Sequence, residues 1–168
     1  MKQLTLALAL GAALLSSCSQ NDFTEAATGK TSVNFSINGQ STITRSATTA
    51  GTDGTYTTNF VANDDIGIFA SGASTAANVK YTVGSDGVGI TGENITINKE
   101  GEANFLSYAP YSAAAEANKV THNVAVDQQN EDSYNASNFM TAKAENITAA
   151  NPNVAFTFAP RLALVRVE

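Results

Sequence analysis

The chain has 168 residues, of which 14% are charged, and its formal net charge is −6. An acidic chain without clusters of Lys and Arg is unsuited to nucleic acid, because that binding depends on basic side chains that neutralise phosphates. The chain has one cysteine, which excludes an internal disulfide, so its domain must be stabilised by an apolar core. Its length suits one domain of ordinary size.

The N-terminus has the pattern of a secretory signal that ends in a lipid-attachment motif. Lys2 precedes an apolar run over residues 4–15, which is shorter than the roughly 20 residues that a membrane-spanning helix needs. The run ends in Leu15-Ser16-Ser17-Cys18, which resembles a bacterial lipobox. We therefore predict that residues 1–17 are a cleaved signal peptide and that Cys18 is the lipidated first residue of the mature chain. The alternative is an ordinary signal peptide followed by an incidental cysteine.

A polar segment without periodicity, residues 18–30, predicts a flexible tether between the lipid and the domain. Strand-like alternation begins after it, because Val33, Phe35 and Ile37 have the same parity and would share one face of a strand. Asn38-Gly39 then predicts a tight turn. Further short strands are predicted at residues 41–45, 66–69, 78–83, 95–97, 103–109, 120–126, 139–143, 153–158 and 162–167.

The stretches between these strands are rich in turn-forming residues. Residues 46–58 are predicted to be a loop, residues 84–92 are predicted to be a turn, and residues 113–119 are the only helix-friendly stretch. Short strands at intervals of roughly 8–15 residues, with almost no helix, indicate an all-β, Greek-key β-sandwich of immunoglobulin-like type. No repeat of fixed period is visible, which disfavours a propeller or a solenoid.

Few residues in the chain suit catalysis. His122 is the only histidine, and it shares the parity of Val120 and Val124, which places it at or near the packed face. A Ser-His-Asp triad would need it as the base, but no Gly-x-Ser-x-Gly motif surrounds any serine, so a structural role is favoured. One histidine and one cysteine also leave no zinc-binding set.

Carboxylates offer one further candidate. Asn63-Asp64-Asp65 predicts a turn that opens the next strand, since Asn and Asp favour such positions. A calcium site is the alternative, because oxygen-rich loops bind hard cations, but the regular spacing of known calcium loops is missing. We therefore predict no catalytic residue, no metal site and no cofactor, and we expect that the chain is not an enzyme.

Several motifs follow one another in a characteristic order. They are the lipobox, Thr44-Arg45-Ser46, and the segments 63–69, 78–81, 104–111, 139–143 and 153–158, the last of which runs into 161–165. In this order and spacing, and over nearly its whole length, the chain resembles the fimbrillin-like family of Bacteroidetes surface lipoproteins. The members of that family are the subunits and anchors of type V pili.

The resemblance implies a protein of two domains, each a transthyretin-like β-sandwich. Residues 31–168 would then be the N-terminal domain, and the second domain would be missing. Because Glu168 lies inside or just after a predicted strand, we expect that the chain is a fragment.

The resemblance also implies assembly by strand exchange. In the family, an Arg-specific protease removes the lipid and the first strand, and a strand from the next subunit fills the vacated groove. Arg45 is the matching candidate for this cleavage, which would release Val33, Phe35 and Ile37; Lys30 is a weaker candidate. The alternative for Arg45 is a solvated charge at a strand end.

We therefore expect a cell-surface lipoprotein, anchored in the outer membrane through acylated Cys18, that is a structural subunit, tip or anchor of fimbriae. Its partners would be other pilus subunits, bound by β-strand addition, and the outer-membrane lipid. The alternative is a monomeric surface lipoprotein that binds a glycan or a host protein through its loops. Tyr108, Tyr111 and Tyr134 are candidate contacts for such a ligand, although two of them flank a strand end, where core packing is the alternative.

Overall fold

The computed structural model describes residues 29–38, 49–50, 56–57 and 59–162, which form twelve strands and one helix. The strands are β1 Lys30–Ser32, β2 Asn34–Ile37, β3 Thr49–Ala50, β4 Tyr56–Thr57, β5 Asp65–Gly72, β6 Ala76–Val83, β7 Ile90–Gly92, β8 Thr96–Asn98, β9 Ala103–Ala109, β10 Met140–Ile147, β11 Asn153–Phe156 and β12 Ala159–Pro160, and the helix is α1 Glu131–Ser137. Within these ranges, no helix is both long enough and apolar enough to cross a lipid bilayer.

Six strands form the larger sheet, in the order β12-β10-β9-β5-β6-β7, and every neighbouring pair is antiparallel. Successive side chains in a strand point to opposite faces of the sheet. Ile66 and Ile68 of β5 and Phe105 of β9 therefore point into the main core, whereas Phe69 and Tyr108 point to the opposite face.

A second layer covers the inner face of the larger sheet. In this layer β2 pairs in parallel with β11, and β1 pairs in antiparallel fashion with β8. Phe35 of β2, Phe156 of β11 and Ile97 of β8 are all buried in the main core, which lies between the two layers. The predicted all-β sandwich is confirmed.

The outer face of the larger sheet carries a smaller apolar cluster, which we call the outer cluster. Its buried members are Phe69, Tyr108 and Ala115, and the connection over residues 110–139 packs against it. The rings of Phe69 and Tyr108 stack with their centroids 5.7 Å apart. The Tyr108 hydroxyl lies 2.6 Å from Asn78 Oδ1, so this buried polar atom has a hydrogen-bond partner.

Most of the predicted strands are present in the structure. The predictions at residues 66–69, 78–83, 95–97, 103–109, 139–143 and 153–158 correspond to β5, β6, β8, β9, β10 and β11. The predicted strand at residues 41–45, and all but the first residue of the one at 162–167, lie outside the described residues.

Two predictions for the long connection are wrong. Residues 113–119, the only helix-friendly stretch, form turns instead of a helix, and Glu116 and Lys119 pair in an isolated antiparallel bridge. Residues 120–126, a predicted strand, pair with no strand in the part of the chain that the structure describes. Alternation of apolar and polar residues favours a strand, but it does not supply a neighbouring edge to pair with.

The helix lies further along the chain, at α1, because a capping residue begins it there. Asn130 Oδ1 accepts a hydrogen bond from Ser133 N at 2.7 Å, which satisfies one of the free N–H groups of the first helical turn. An alanine-rich stretch of two turns, such as residues 113–119, is too short to be a stable helix without such support.

Short pairings also occur where the sequence predicts loops. Within residues 46–58, β3 pairs with β4, and within residues 84–92, β7 pairs with the end of β6. The unpredicted strand β12 pairs with the start of β10 at the edge of the sheet. An edge is where a strand can tolerate Pro160, which has no N–H to donate.

A clash at Gly67 provides a test of the outer cluster. Gly67 lies directly opposite Tyr108, and a Cβ atom at Gly67 would overlap Tyr108 Cε1. We expect Gly67→Ala to lower the free energy of unfolding by about 1–3 kcal/mol, measured by urea denaturation, because the buried ring must move. Gly89→Ala is the control, since its Cβ would meet only the Asp86 carboxylate at 3.4 Å. Equal effects of the two substitutions would contradict this packing.

Candidate functional site

The two residues predicted to be modified or cleaved, Cys18 and Arg45, lie outside the described residues, so lipidation and cleavage stay predictions. Lys30, the weaker cleavage candidate, begins β1, and its side chain is exposed. The structure does describe residues 30–38, which include Val33, Phe35 and Ile37 of the strand that the sequence predicts to be removable. We call these residues the first strand segment.

The first strand segment forms the middle of the second layer. It comprises β1, Val33, β2 and Asn38, with β8 on one side and β11 on the other. Val33 N donates a hydrogen bond to Ile95 O, and Ile37 N donates one to Val88 O, each at 2.9 Å. These two bonds extend the contact on the β8 side, so the segment is hydrogen-bonded along both of its edges.

Contacts with the β11 side set the register of the segment. Asn38 N donates to Phe156 O at 2.9 Å, beyond the last residue of the parallel ladder. On the exposed face, Asn34 Nδ2 donates to Asn153 Oδ1 at 3.1 Å, and Asn38 Nδ2 donates to Thr157 Oγ1 at 2.8 Å. Because side chains and backbone bond to the same neighbours, a slip of one residue would break both sets of bonds.

The inward side chains of the segment are buried, and Phe35 has the most distinctive surroundings. Its ring packs edge-on against Tyr81 and Phe105 of the larger sheet, with centroids 5.4 and 5.1 Å away. It stacks in parallel on Phe156 of β11 at 5.7 Å. Burial raises the pKa of Tyr81, whose hydroxyl donates to Glu93 O at 2.6 Å. Phe35 thus occupies a pocket framed by three uncharged rings.

A turn over residues 84–89 places the carbonyl that receives the Ile37 N–H. Asp86 Oδ1 accepts hydrogen bonds from Val88 N at 3.0 Å and from Gly89 N at 2.8 Å. The hydrogen bond from Val88 N and, to a smaller extent, the one from Gly89 N lower the pKa of the Asp86 carboxyl below its usual range. The sequence predicts this turn from its glycines, but it gives no sign that Asp86 supports the first strand segment.

His122 has a structural role within the described residues. Its ring stacks on Phe139 with centroids 5.2 Å apart, and its Nε2 lies 2.9 Å from Ser137 O. An aromatic ring and a backbone carbonyl are its partners, rather than the serine hydroxyl and the carboxylate of a triad. The histidine therefore attaches the middle of the 110–139 connection to the end of the same connection, next to β10.

The paired aspartates at the start of β5 are used within the fold. Asp65 accepts a hydrogen bond from Thr82 Oγ1 at 2.8 Å and forms an ion pair with Lys80 at 2.8 Å. Asp64 Oδ2 accepts a hydrogen bond from Val61 N at 3.1 Å, which closes the predicted turn. Over the described ranges, no three His, Cys, Asp or Glu residues are grouped so that they could hold a metal ion.

The three candidate tyrosines differ in exposure. Tyr108 has no exposed surface and is a core residue of the outer cluster, so it is not available to contact a ligand. Tyr111 and Tyr134 are half-buried, and Lys80 Nζ lies 5.9 Å from the centre of the Tyr111 ring. The three rings therefore do not form a shared exposed surface of the kind that a glycan would need.

A family profile described as fimbrillin-like matches residues 44–168. The chain belongs to the fimbrillin-like family. The match includes the larger sheet and β11, and it begins after the first strand segment. No curated protein matches this fimbrillin-like chain.

Solved structures share the fold of this fimbrillin-like chain. A proposed cell adhesion protein from Bacteroides uniformis ATCC 8492 has a TM-score of 0.54 and 23% sequence identity, over 79% of this chain and 48% of the other. A fimbrial protein from Bacteroides ovatus ATCC 8483 has a TM-score of 0.52 and 19% identity, over 79% of this chain and 29% of the other. The chain thus spans about half of the first of these proteins and less than a third of the second.

Truncation of Phe35 tests how strongly the first strand segment is held. We expect Phe35→Ala to lower the free energy of unfolding by about 3–5 kcal/mol, because it removes a buried ring and leaves a cavity. Denaturant titration of the fimbrillin-like domain measures this change. Asn34→Ala, the neighbouring exposed position, is the control and should cost less than about 1.5 kcal/mol, since it removes one exposed hydrogen bond. A small effect at Phe35 would show that the segment is dispensable for stability.

The lowered pKa of Asp86 predicts a dependence of stability on pH. The contribution of the Asp86 carboxylate to stability is complete above its pKa in the unfolded chain, about 3.9. This contribution is lost as the pH falls through the lower pKa that the group has in the folded chain. The stability difference between the wild type and Asp86→Ala should therefore narrow below about pH 4. Asp86→Asn keeps an oxygen acceptor that does not titrate, so the difference in stability between Asp86→Asn and Asp86→Ala should not change with pH. If the difference in stability between the wild type and Asp86→Ala also stays constant as the pH falls, the role of the carboxylate is contradicted.

Proposed function

We propose that this fimbrillin-like chain is a structural component of fimbriae, as subunit, tip or anchor, and that subunits join by exchange of the first strand segment. The observation that carries the proposal is the position of that segment. It lies close to the N-terminus of the chain, yet it forms the middle of the second layer and is hydrogen-bonded along both edges.

Loss of the segment would leave a groove that another strand can fill. The backbone groups of β8 and β11 that now bond to the segment would have no partner, and such an edge is a template for strand addition. The sites of Val33, Phe35 and Ile37 would become open pockets in the core. An incoming strand would restore the backbone bonds, while its alternate side chains would fill the pockets. The three rings around the Phe35 site would favour an aromatic or large aliphatic side chain there.

Arg45 is well placed for the cut that this exchange needs. It lies between the first strand segment and β5, the first strand of the larger sheet along the chain. Cleavage after Arg45 would therefore separate the segment from all six strands of that sheet. The freed segment would be held only by its non-covalent contacts, which an incoming strand can replace.

We also propose that the chain reaches the cell surface as a lipoprotein. Residues 1–17 would be the signal peptide, Cys18 would carry the lipid, residues 18–30 would be the tether, and residues 31–168 would form the N-terminal β-sandwich domain. Each buried CH₂ of an acyl chain contributes about 0.8 kcal/mol, and more than one chain is needed for stable anchoring in the outer membrane. The lipid would leave with the segment in a processed subunit and would remain in an anchor.

The solved relatives support this assignment, since one is described as a fimbrial protein and the other as a proposed cell adhesion protein. The burial of Tyr108 weakens the alternative of a monomeric binder of glycan or host protein. The local bonding of His122 and of the paired aspartates favours a role other than catalysis.

Treatment of the surface-displayed full chain with an Arg-specific protease tests the cleavage. We expect a defined cut after Arg45, a new N-terminus at Ser46 and release of the acylated fragment that contains Cys18. Arg45→Gln should resist the protease, and Lys30→Gln should be cut like the wild type. N-terminal sequencing and mass spectrometry identify the products. A wild-type chain that is not cut at Arg45 would end the processed-subunit proposal.

Competition by a synthetic peptide then tests the exchange itself. Cleaved protein should form a ladder of oligomers, and excess peptide with the sequence of residues 30–38 should suppress that ladder by refilling the groove. A peptide with Phe35→Ala is the matched control and should suppress it much less, because the pocket with three rings would stay empty. A ladder that both peptides leave unchanged would show that subunits associate in some other way.

A further inference from the structure

The connection over residues 119–127 crosses the outer face of the larger sheet without joining any strand. Val120 packs against the outer cluster, and this contact holds the start of the segment on the sheet. Further along, Val124 is 47% exposed and Val126 is fully exposed. The wrongly predicted strand is therefore a β-favouring stretch that contacts the domain at Val120, His122 and Ala125 and exposes its other valines.

The backbone of this segment forms few hydrogen bonds. Lys119 exchanges backbone bonds with Glu116, and Ala125 N donates to Ser137 Oγ at 2.9 Å. Across the described part of the chain, no hydrogen bond involves the backbone N–H or C=O of residues 120–124 or of Val126. The unpaired N–H and C=O groups of the even-numbered residues in this stretch are therefore free to bond to an added strand, as those of a strand edge are.

The sequence of the segment is complementary to itself when read in the opposite direction. Residues 119–127 are Lys-Val-Thr-His-Asn-Val-Ala-Val-Asp, and Asn123 is their centre. In an antiparallel pair of two such segments, Lys119 lies opposite Asp127 and Val120 lies opposite Val126. Between Lys119 and Asp127, the segment contains no further Asp, Glu, Lys or Arg and no Gly or Pro. Opposite charges and β-branched residues are favourable cross-strand neighbours.

We propose that a second copy of this chain binds at residues 119–127 by antiparallel strand pairing, about a twofold axis at Asn123. Charge complementarity favours a second copy as the partner. The net charge of −6 makes two copies repel each other in general, but in the paired segments each Lys119 lies opposite the Asp127 of the other copy. The even-numbered residues form the hydrogen-bonded pairs, and Asn123 faces its own copy in a non-hydrogen-bonded pair. The contact is isologous, since both copies use the same surface.

This contact is independent of strand exchange. It lies on the outer face of the larger sheet, whereas the first strand segment lies in the opposite layer, and the two surfaces share no residue. A chain that resists cleavage at Arg45 still pairs through residues 119–127, and a chain that cannot pair there is still cleaved. Failure of one proposal therefore leaves the other standing.

Disulfide trapping on the full-length, surface-displayed chain tests the twofold axis. Facing residues in a non-hydrogen-bonded pair have Cα atoms about 4.5 Å apart, which is within the range of a disulfide. Asn123→Cys should therefore form a covalent dimer under mild oxidation. Thr121→Cys is the matched control, because its copy would lie about 13 Å away, beyond the reach of a disulfide. The unsubstituted chain, which keeps Cys18, gives the background. Equal dimer yields from the two variants would overturn the proposal.

Charge exchange in the Asn123→Cys background tests the register and the identity of the partner. Lys119→Asp and Asp127→Lys each place like charges opposite one another, so each should lower the dimer yield about fivefold or more. The double variant Lys119→Asp with Asp127→Lys restores opposite charges and should restore the yield. Single variants without effect, a double variant without rescue, or a disulfide to a different protein would each overturn the pairing of two copies.

Discussion

The ring of Phe35 holds the two layers of the sandwich together. It packs edge-on against Tyr81 and Phe105 of the larger sheet and face-to-face against Phe156 of β11. Full burial of such a ring contributes about 1.5–3 kcal/mol, and the hydrogen bonds on both edges of the same segment fix its register. Of the strands that the structure describes, β8 and β11 pair with this segment and with no other. The second layer therefore depends on nine residues that lie close to the N-terminus.

Under the proposed strand exchange, one segment would be essential to the sandwich and would still be replaceable. The six strands of the larger sheet pair with each other, so they would keep their ladders if the first strand segment left. The segment is joined to the rest of the domain at its C-terminal end through residues 39–58, where Arg45 lies. A cut there, followed by loss of the segment, would leave a sheet with an open apolar face and would leave β8 and β11 without their pairing partner. Such a surface is costly in water, which favours capture of another strand.

Alternation in the sequence predicts which residues are buried, but not which strand they pair with. Val33, Phe35 and Ile37 were predicted to share a face, and they do. Their partner strand β11 lies far along the chain, since Asn34 and its contact Asn153 are 119 residues apart in sequence. No local pattern encodes this sequence separation or the parallel orientation of the two strands. Equal alternation over residues 120–126 predicted a strand wrongly, because pairing needs a free edge nearby. The same limit explains why the turn at Asp86 was predicted and its contact with the segment was not.

The two proposed contacts would have different consequences for an assembly because they differ in symmetry. Strand exchange is heterologous: the groove of one subunit receives a strand of the next, so the contact can repeat without closing and produces a fibre. Pairing through residues 119–127 is isologous, so it ends with two copies and cannot extend by itself. Since the grooves and the paired segments lie on opposite layers, both contacts could form on the same molecule. Exchange would then lengthen a fibre, while pairing of the outer faces would join two fibres side by side.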